Sequence, residues 1–185
     1  MKQATVTSSE TLFKGRVFSL QRDQVVEPSG IKTTREIIVH HGSVVVLPVL
    51  PDGRIVLIRQ YRHAAGQYLW ELVAGHKEPG EDPIAGARRE LEEETGYTAK
   101  KFKKLLDIYP SPGLLGEKME IFLADGLKKG IARPEDDESI TQRIFTLREV
   151  EAWIRSGKIH DSKTVTGILY YAKFVARAKK RSHGK

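Results

Sequence analysis

Residues 11–27 and 31–40 are rich in β-branched and aromatic side chains, and Glu27-Pro28-Ser29-Gly30 between them carries turn chemistry. Together they predict an N-terminal antiparallel β-hairpin. Ser43–Leu50, SVVVLPVL, reads as a continuous apolar strand, and Pro51-Asp52-Gly53-Arg54 turns it into a second hairpin with Ile55–Gln60. Tyr68–Val73 is a further short strand. A helix follows, then strands near Phe102–Tyr109 and Lys118–Ala124, an acid-rich loop over Gly130–Ser139, and a strand over Ile140–Thr146. Leu147–Ser156 and Thr164–Lys180 are predicted as helices. Hairpins and strands mixed with a few helices make the chain α+β rather than doubly wound. It divides into a β-hairpin element over 1–42 and a main domain over 43–185 that ends in a basic tail.

Composition narrows the classes available. With 185 residues, 39% hydrophobic and 30% charged, the chain has the make-up of an ordinary globular protein with a real core. No apolar run approaches the roughly eighteen residues needed to span a bilayer, and MKQATVTSSE lacks the apolar core of a secretory signal. The absence of cysteine excludes disulfides and thiolate metal sites and sets the expected compartment as cytoplasmic. The net charge of +7 suggests nucleic acid, until it is located. Lys173, Arg177, Lys179, Lys180, Arg181 and Lys185 account for nearly all of it, in a final stretch without acids. A solvated terminus is the plainer reading of that tail, and a contact with an acidic partner is the alternative.

The segment with the most chemistry is Gly75–Tyr97, GHKEPGEDPIAGARRELEEETGY. Asp82 is a helix N-cap with Pro83 at the first helical position, and Gly96 stands where a left-handed residue closes a helix. Ile84, Ala87, Arg88, Leu91 and Thr95 share one face of that helix. Glu90, Glu93 and Glu94 fall on an adjacent face, three and four residues apart, so their like charges repel unless cations offset them. Clustered hard oxygens suit Mg²⁺, or Mn²⁺, which also accept phosphate oxygens. Glu81 can aim a further carboxylate at the same place, and Arg89 can orient Glu93 through a bidentate pair. A solvated acidic face is the competing reading of the helix pattern alone.

The full spacing decides between them. Gly75, Glu81, Arg89, Glu90, Glu93, Glu94 and Gly96 fall at every fixed position of the Nudix box. With each residue type at about 7% usage, chance would give this about once in 10⁸ trials. The chain therefore resembles a Nudix hydrolase. That resemblance implies the Nudix fold, a mixed β-sheet between helices. It also implies Glu90 and Glu94 as metal ligands, Glu93 as a ligand or supporting catalytic glutamate, and the carbonyl of Ala74 as a further ligand. The box covers 23 of the residues, and weaker similarity extends over most of the chain.

Nudix hydrolases share a reaction and differ in substrate, so other segments must choose. Pro112 within Ser111-Pro112-Gly113, the run Arg59-Gln60-Tyr61-Arg62, Trp70–Gly75 and Thr34-Arg35-Glu36 are similar to the ADP-ribose pyrophosphatase subgroup. In such enzymes the N-terminal hairpins help form a homodimer and close the adenosine site. Arg35 and Arg62 are candidates to hold the pyrophosphate, although each is also an ordinary strand-face arginine. Glu36 is a candidate to meet the adenine amino group. Phe18 is a candidate to stack on the base, with a core aromatic as the plainer reading. Glu117 is a candidate carboxylate near the metals.

The resemblance implies attack of water on one phosphorus of ADP-ribose, giving AMP and ribose 5-phosphate, with Mg²⁺ neutralising charge and acidifying the water. It places the general base on a loop after the metal helix. Glu138 is the choice there because it directly precedes the strand starting near Ile140, with Glu135, Asp136 and Asp137 as alternatives. The six histidines form no ligand set, and no GxGxxG, GxSxG or Walker lysine motif occurs. Three other readings remain: hydrolysis of GDP-mannose or another nucleotide sugar, a non-catalytic nucleotide sensor, and RNA binding through the tail.

Overall fold

The structure, a computed structural model, describes residues 2–133 and 139–176. It falls into two compact units: residues 1–42 with 109–118, and residues 43–108 with 119–185. In the first unit β1 (Thr5–Lys14), β2 (Phe18–Val26) and β3 (Lys32–His40) form an antiparallel sheet in that order. The expected hairpin is the β2–β3 pair, closed by hydrogen bonds from Glu27 N to Ile31 O and from Gly30 N to Glu27 O, both 2.8 Å. A third strand precedes it, beginning well before residue 11. Every position of β1 is exposed, so its conformation comes from backbone pairing with β2 rather than burial, and apolar patterning cannot announce it. The segment 109–118 joins this unit through Ile38, whose N–H donates to Leu114 O at 2.8 Å and whose carbonyl accepts from Gly116 N at 2.9 Å.

The second unit holds two sheets. One has the order β7-β4-β9-β8, from β7 (Val73–His76), β4 (Ser43–Pro48), β9 (Met119–Lys129) and β8 (Tyr97–Ile108). Its β4–β9 pair is parallel and the others are antiparallel. The other sheet is antiparallel, in the order β10-β5-β6, from β10 (Ile140–Phe145), β5 (Ile55–Arg62) and β6 (Gln67–Glu71). A turn of 3₁₀ helix at His63–Ala65 joins β5 to β6. The helices are α1 (Pro83–Thr95), α2 (Leu147–Arg155) and α3 (Ser162–Tyr170), the last running on as a π-helical stretch, Tyr171–Ala176.

The period-two alternation of β4 explains its unbroken apolar sequence. Val45 and Leu47 pack into one core with Val150 of α2 and Ile168 of α3. Val44 and Val46 pack into another with Ala87 and Leu91 of α1. Both faces of the strand are buried, because the mixed sheet is covered by helices on either side. This is the layered α+β arrangement expected. Among the described residues, no helix is long and apolar enough to cross a membrane.

The expected strand Tyr68–Val73 is in fact two strands in different sheets, β6 and β7. The break is at Leu72, whose N–H leaves the ladder and donates to Thr164 Oγ1 of α3 at 2.8 Å. Thr164 is fully buried, and its hydroxyl donates in turn to Asp161, the N-cap of α3, at 2.6 Å. Thr164→Val keeps the shape and leaves a buried N–H without its acceptor. Chemical denaturation should show a loss of about 1–3 kcal/mol, and an unchanged midpoint would remove this bond as the reason for the strand break.

Candidate active site

The glutamate helix is punctuated as its sequence predicts. Asp82 Oδ1 accepts from the N–H groups of Ile84 and Ala85, both at 3.0 Å, and Pro83 occupies the first turn. Gly96 ends the helix at φ +72°, its N–H donating to Glu92 O. One member of the predicted apolar face is misplaced: Ile84 is 40% exposed. Arg88 is exposed too, and lies over the Phe102 ring at 4.7 Å. The side actually buried carries Gly86, Ala87, Glu90, Leu91, Glu94 and Thr95, so two of the predicted metal ligands point inward.

They can do so because of what faces them. A Cβ built on Gly75 would lie 1.9 Å from Glu90 Oε1, inside covalent-like range, so only glycine leaves room for this carboxylate over the backbone of β7. Next to it, Ala74 N–H donates to Glu94 Oε2 at 3.3 Å. The half-buried Arg89 links the remaining acids. Its NH1 donates to Glu90 at 2.7 Å and to Glu93 at 3.1 Å, and its Nε and NH2 reach the two oxygens of Glu81 at 3.2 and 3.3 Å. NH2 also donates to the carbonyl of His76 at 3.1 Å. The two-pronged bond predicted for Glu93 therefore goes to Glu81, and Glu93 receives one donor.

Burial opposes the charge on Arg89, but hydrogen bonding to Glu81 and the nearby Glu90 outweigh it and raise its pKa. Glu81 is held below the usual carboxylate range, chiefly by its hydrogen bond from Arg89. Among the described residues no three histidine or carboxylate side chains stand as a ready ligand cage. The guanidinium sits among the acids instead. The donors gathered here are all hard oxygens, and the space left by Gly75 is filled by a carboxylate alone. That chemistry fits a divalent cation on Glu90 and Glu94, with Glu93 beside them.

Arg62 is placed by a bond the sequence did not reveal. Its Nε and NH2 donate to the two oxygens of Glu71, each at 2.8 Å. Glu71 is fully buried and also accepts from Lys163, which bonds Asp161 at 3.0 Å. The pKa of Arg62 is raised, first by the hydrogen bond to Glu71, with a smaller contribution from the charge of Glu94. Arg62 is thus tied to a buried ion network. The only sequence hint was a glutamate inside an apolar strand, Trp70-Glu71-Leu72.

A second unforeseen contact lies past β9. Gly130 N donates to Gly96 O at 2.7 Å and Arg133 N to Glu93 O at 2.8 Å. A Cβ on Gly96 would come within 2.5 Å of Ala132 N, so this glycine permits a close backbone approach as well as the left-handed turn. Glu138, with Glu135, Asp136 and Asp137, lies outside the described residues.

The other candidates belong to the first unit. Glu36 accepts from Arg22 Nε and NH2 at 3.0 and 2.7 Å, its cross-strand partner. Arg35 NH2 donates to Glu27 at 2.6 Å. Phe18 is no core aromatic: it is 42% exposed and tilted against Phe13 with ring centres 5.8 Å apart. Pro112 is exposed in a turn where Leu114 N and Leu115 N both donate to Ser111 O, and Glu117 is buried.

The NUDIX domain family model matches residues 39–165. The chain is 39% identical to the methanol dehydrogenase activator of Bacillus methanolicus, over 88% of this chain and 89% of that protein. It is 38% identical to the ADP-ribose pyrophosphatase of Bacillus subtilis, over the same shares. A crystal structure of an ADP compounds hydrolase superposes with a TM-score of 0.81 at 21% identity, covering 100% of this chain and 97% of that one, which shows the shared fold.

The ion network behind the site gives a pH prediction. Burial opposes ionisation of Glu71, but the hydrogen bond from Arg62 and the charge of Lys163 overcome it and hold its pKa below the ordinary 4.5. A depressed carboxylate stabilises the fold above its ordinary value, and that stability is lost as pH falls through the lower folded value. The Tm should therefore decline from about pH 4.5 downward. Glu71→Gln should lower the Tm at neutral pH and make the acid decline shallower; an equally steep decline in that variant would show that Glu71 does not drive it.

Proposed function

The chain belongs to the NUDIX domain family, and on that premise we propose that it is a divalent-metal-dependent pyrophosphatase hydrolysing ADP-ribose to AMP and ribose 5-phosphate. One observation carries the reading. The box glutamates Glu90, Glu93 and Glu94 are all present on α1, with Glu90 and Glu94 turned inward against the backbone at Ala74 and Gly75. Like charges at this spacing repel, and Arg89 and a bound cation would share in relieving them. The choice of substrate is supported by the likeness to the ADP-ribose pyrophosphatase of Bacillus subtilis and by the subgroup features at Arg35, Arg62 and Pro112.

Glu90, Glu94 and the Ala74 carbonyl would hold Mg²⁺ or Mn²⁺, with Glu93 as ligand or support, and Glu117 is the further candidate. The bound cation would neutralise the diphosphate and acidify water at the site. The chain's own residues do the positioning. Arg89 holds Glu81, Glu90 and Glu93 in one cluster. Arg62 is fixed by Glu71, with its side chain still 38% exposed, and so can offer a guanidinium edge to a phosphate oxygen. Glu138 is the proposed general base. On the N-terminal unit, Arg35 would take a phosphate, Glu36 the adenine amino group and Phe18 the base. Each must first give up or share the contact described above. Phe18's exposure supports a stacking role. A homodimer closing this site and a cytoplasmic location complete the proposal.

The second reading, a regulator rather than a hydrolase, is favoured by one observation, the 39% identity to a protein named for activating a dehydrogenase. Two measurements separate the readings. With Mg²⁺, a panel of ADP-ribose, GDP-mannose, NADH and diadenosine polyphosphates should rank ADP-ribose first by kcat/KM; a different leader would replace the substrate, and no turnover at all would favour the regulator. Glu94→Gln should lower turnover at least a hundredfold, about 3 kcal/mol in barrier height, with its circular dichroism unchanged. Wild-type turnover in that variant would remove Glu94 from the metal site.

A further inference from the structure

Beside the acid cluster the structure has a cavity of about 270 Å³, lined by Arg89, Glu92, Glu93, Ile131 and Arg133. Two of its walls, Arg89 and Glu93, are members of the cluster itself. The other side is the chain just after β9, and its place is fixed. Gly130 and Arg133 donate their N–H groups to the carbonyls of Gly96 and Glu93, and Gly96 lets that backbone lie directly on the helix end. Arg133 is therefore anchored at its own amide to a residue of the proposed metal site. Its guanidinium is exposed and forms no ion pair with a carboxylate among the described residues. Arg89, by contrast, is held by three carboxylates. A cation with a fixed root and no carboxylate partner among the described residues, next to a site for a doubly charged diphosphate, is placed to take a phosphate oxygen.

The lining also says which half of the substrate belongs there. Among the described residues it contains no aromatic face for a nucleobase. The carboxylates of Glu92 and Glu93 can accept hydrogen bonds from sugar hydroxyls, and Ile131, 80% exposed, offers a small apolar wall. Those are the requirements of a phosphorylated sugar. We propose that this cavity is the subsite for the sugar-phosphate half of the substrate, with Arg133 binding its phosphate. This rests on the pyrophosphatase reading above and adds a residue and an orientation to it.

The test compares wild type, Arg133→Ala and Arg133→Lys, with ADP-ribose and Mg²⁺. The alanine variant should raise KM about tenfold or more, the loss of one charge-assisted hydrogen bond, with a much smaller change in kcat and an unchanged Tm. Lysine should restore part of the loss. Inhibition by ribose 5-phosphate should weaken about tenfold in the alanine variant, while inhibition by AMP should change little. Unaltered KM and unaltered ribose 5-phosphate inhibition would overturn the subsite while leaving the pyrophosphatase intact. Weakened AMP inhibition with ribose 5-phosphate unaffected would overturn the orientation. If another nucleoside diphosphate proves to be the substrate, the same comparison is made with it and with its own sugar phosphate. If wild type cleaves none of them, both the function and the subsite fall.

Discussion

Everything at the proposed site depends on how closely α1 lies against β7, and that closeness is possible because residue 75 has no side chain. Any Cβ there would overlap the Glu90 carboxylate. With the glycine in place, Glu90 rests over the strand backbone, Glu94 meets the Ala74 amide one residue away, and Arg89 on the same helix gathers Glu81 and Glu93. The helix caps set where α1 begins and ends, but this contact sets which way its acids face. The core beneath supports it: Ala87 and Leu91 fix the helix rotation against Val44 and Val46 of the neighbouring strand.

Charge is managed in two tiers. Near the surface, one arginine is shared among three carboxylates, so the acids stay together without a net of unrelieved repulsion. Deeper, Glu71 is ionised in a fully buried place because Arg62 and Lys163 approach it from different elements. A buried carboxylate of this kind is costly to leave half-paired. It binds β5, β6 and α3 into one arrangement behind the site, and it determines where Arg62 can be. The site's basic residues are thus located by structural ion pairs as much as by any ligand.

What could be read from the sequence follows from the range of the interactions involved. Asp82, Pro83 and Gly96 act on their nearest neighbours, so the helix was legible to the residue, and the glutamate spacing with it. The buried strands were legible because their apolar content is unbroken. The division of Tyr68–Val73 was not, since it depends on Thr164, ninety-two positions away. The pairing of Arg62 with Glu71 is hidden for a related reason: the sequence shows one glutamate within an apolar run but not which cation will meet it. Ile84 is exposed because the helix turns its glutamates inward, a rotation that the core contacts of Ala87 and Leu91 fix and that Gly75 leaves room for. β1 escaped notice because a strand exposed at every position carries no periodic mark.

One feature of the sheet bears on how the protein reaches this state. β4 is central and has β7 on one edge and β9 on the other, the second in parallel. Its β7 partner is about thirty residues away and its β9 partner about seventy-five, by the pairings Ser43–His76 and Ser43–Met119. Loop closure over the longer span must precede any reward from that pairing. A chain still emerging from the ribosome can therefore form β4, β7 and α1 together, with the carboxylates already assembled, while the far edge of β4 stays open until β9 is made. The core under α1 is completed only by Phe122 and Ala124 of β9, so until that strand is made the open edge of β4 is exposed to pairing with the wrong strand.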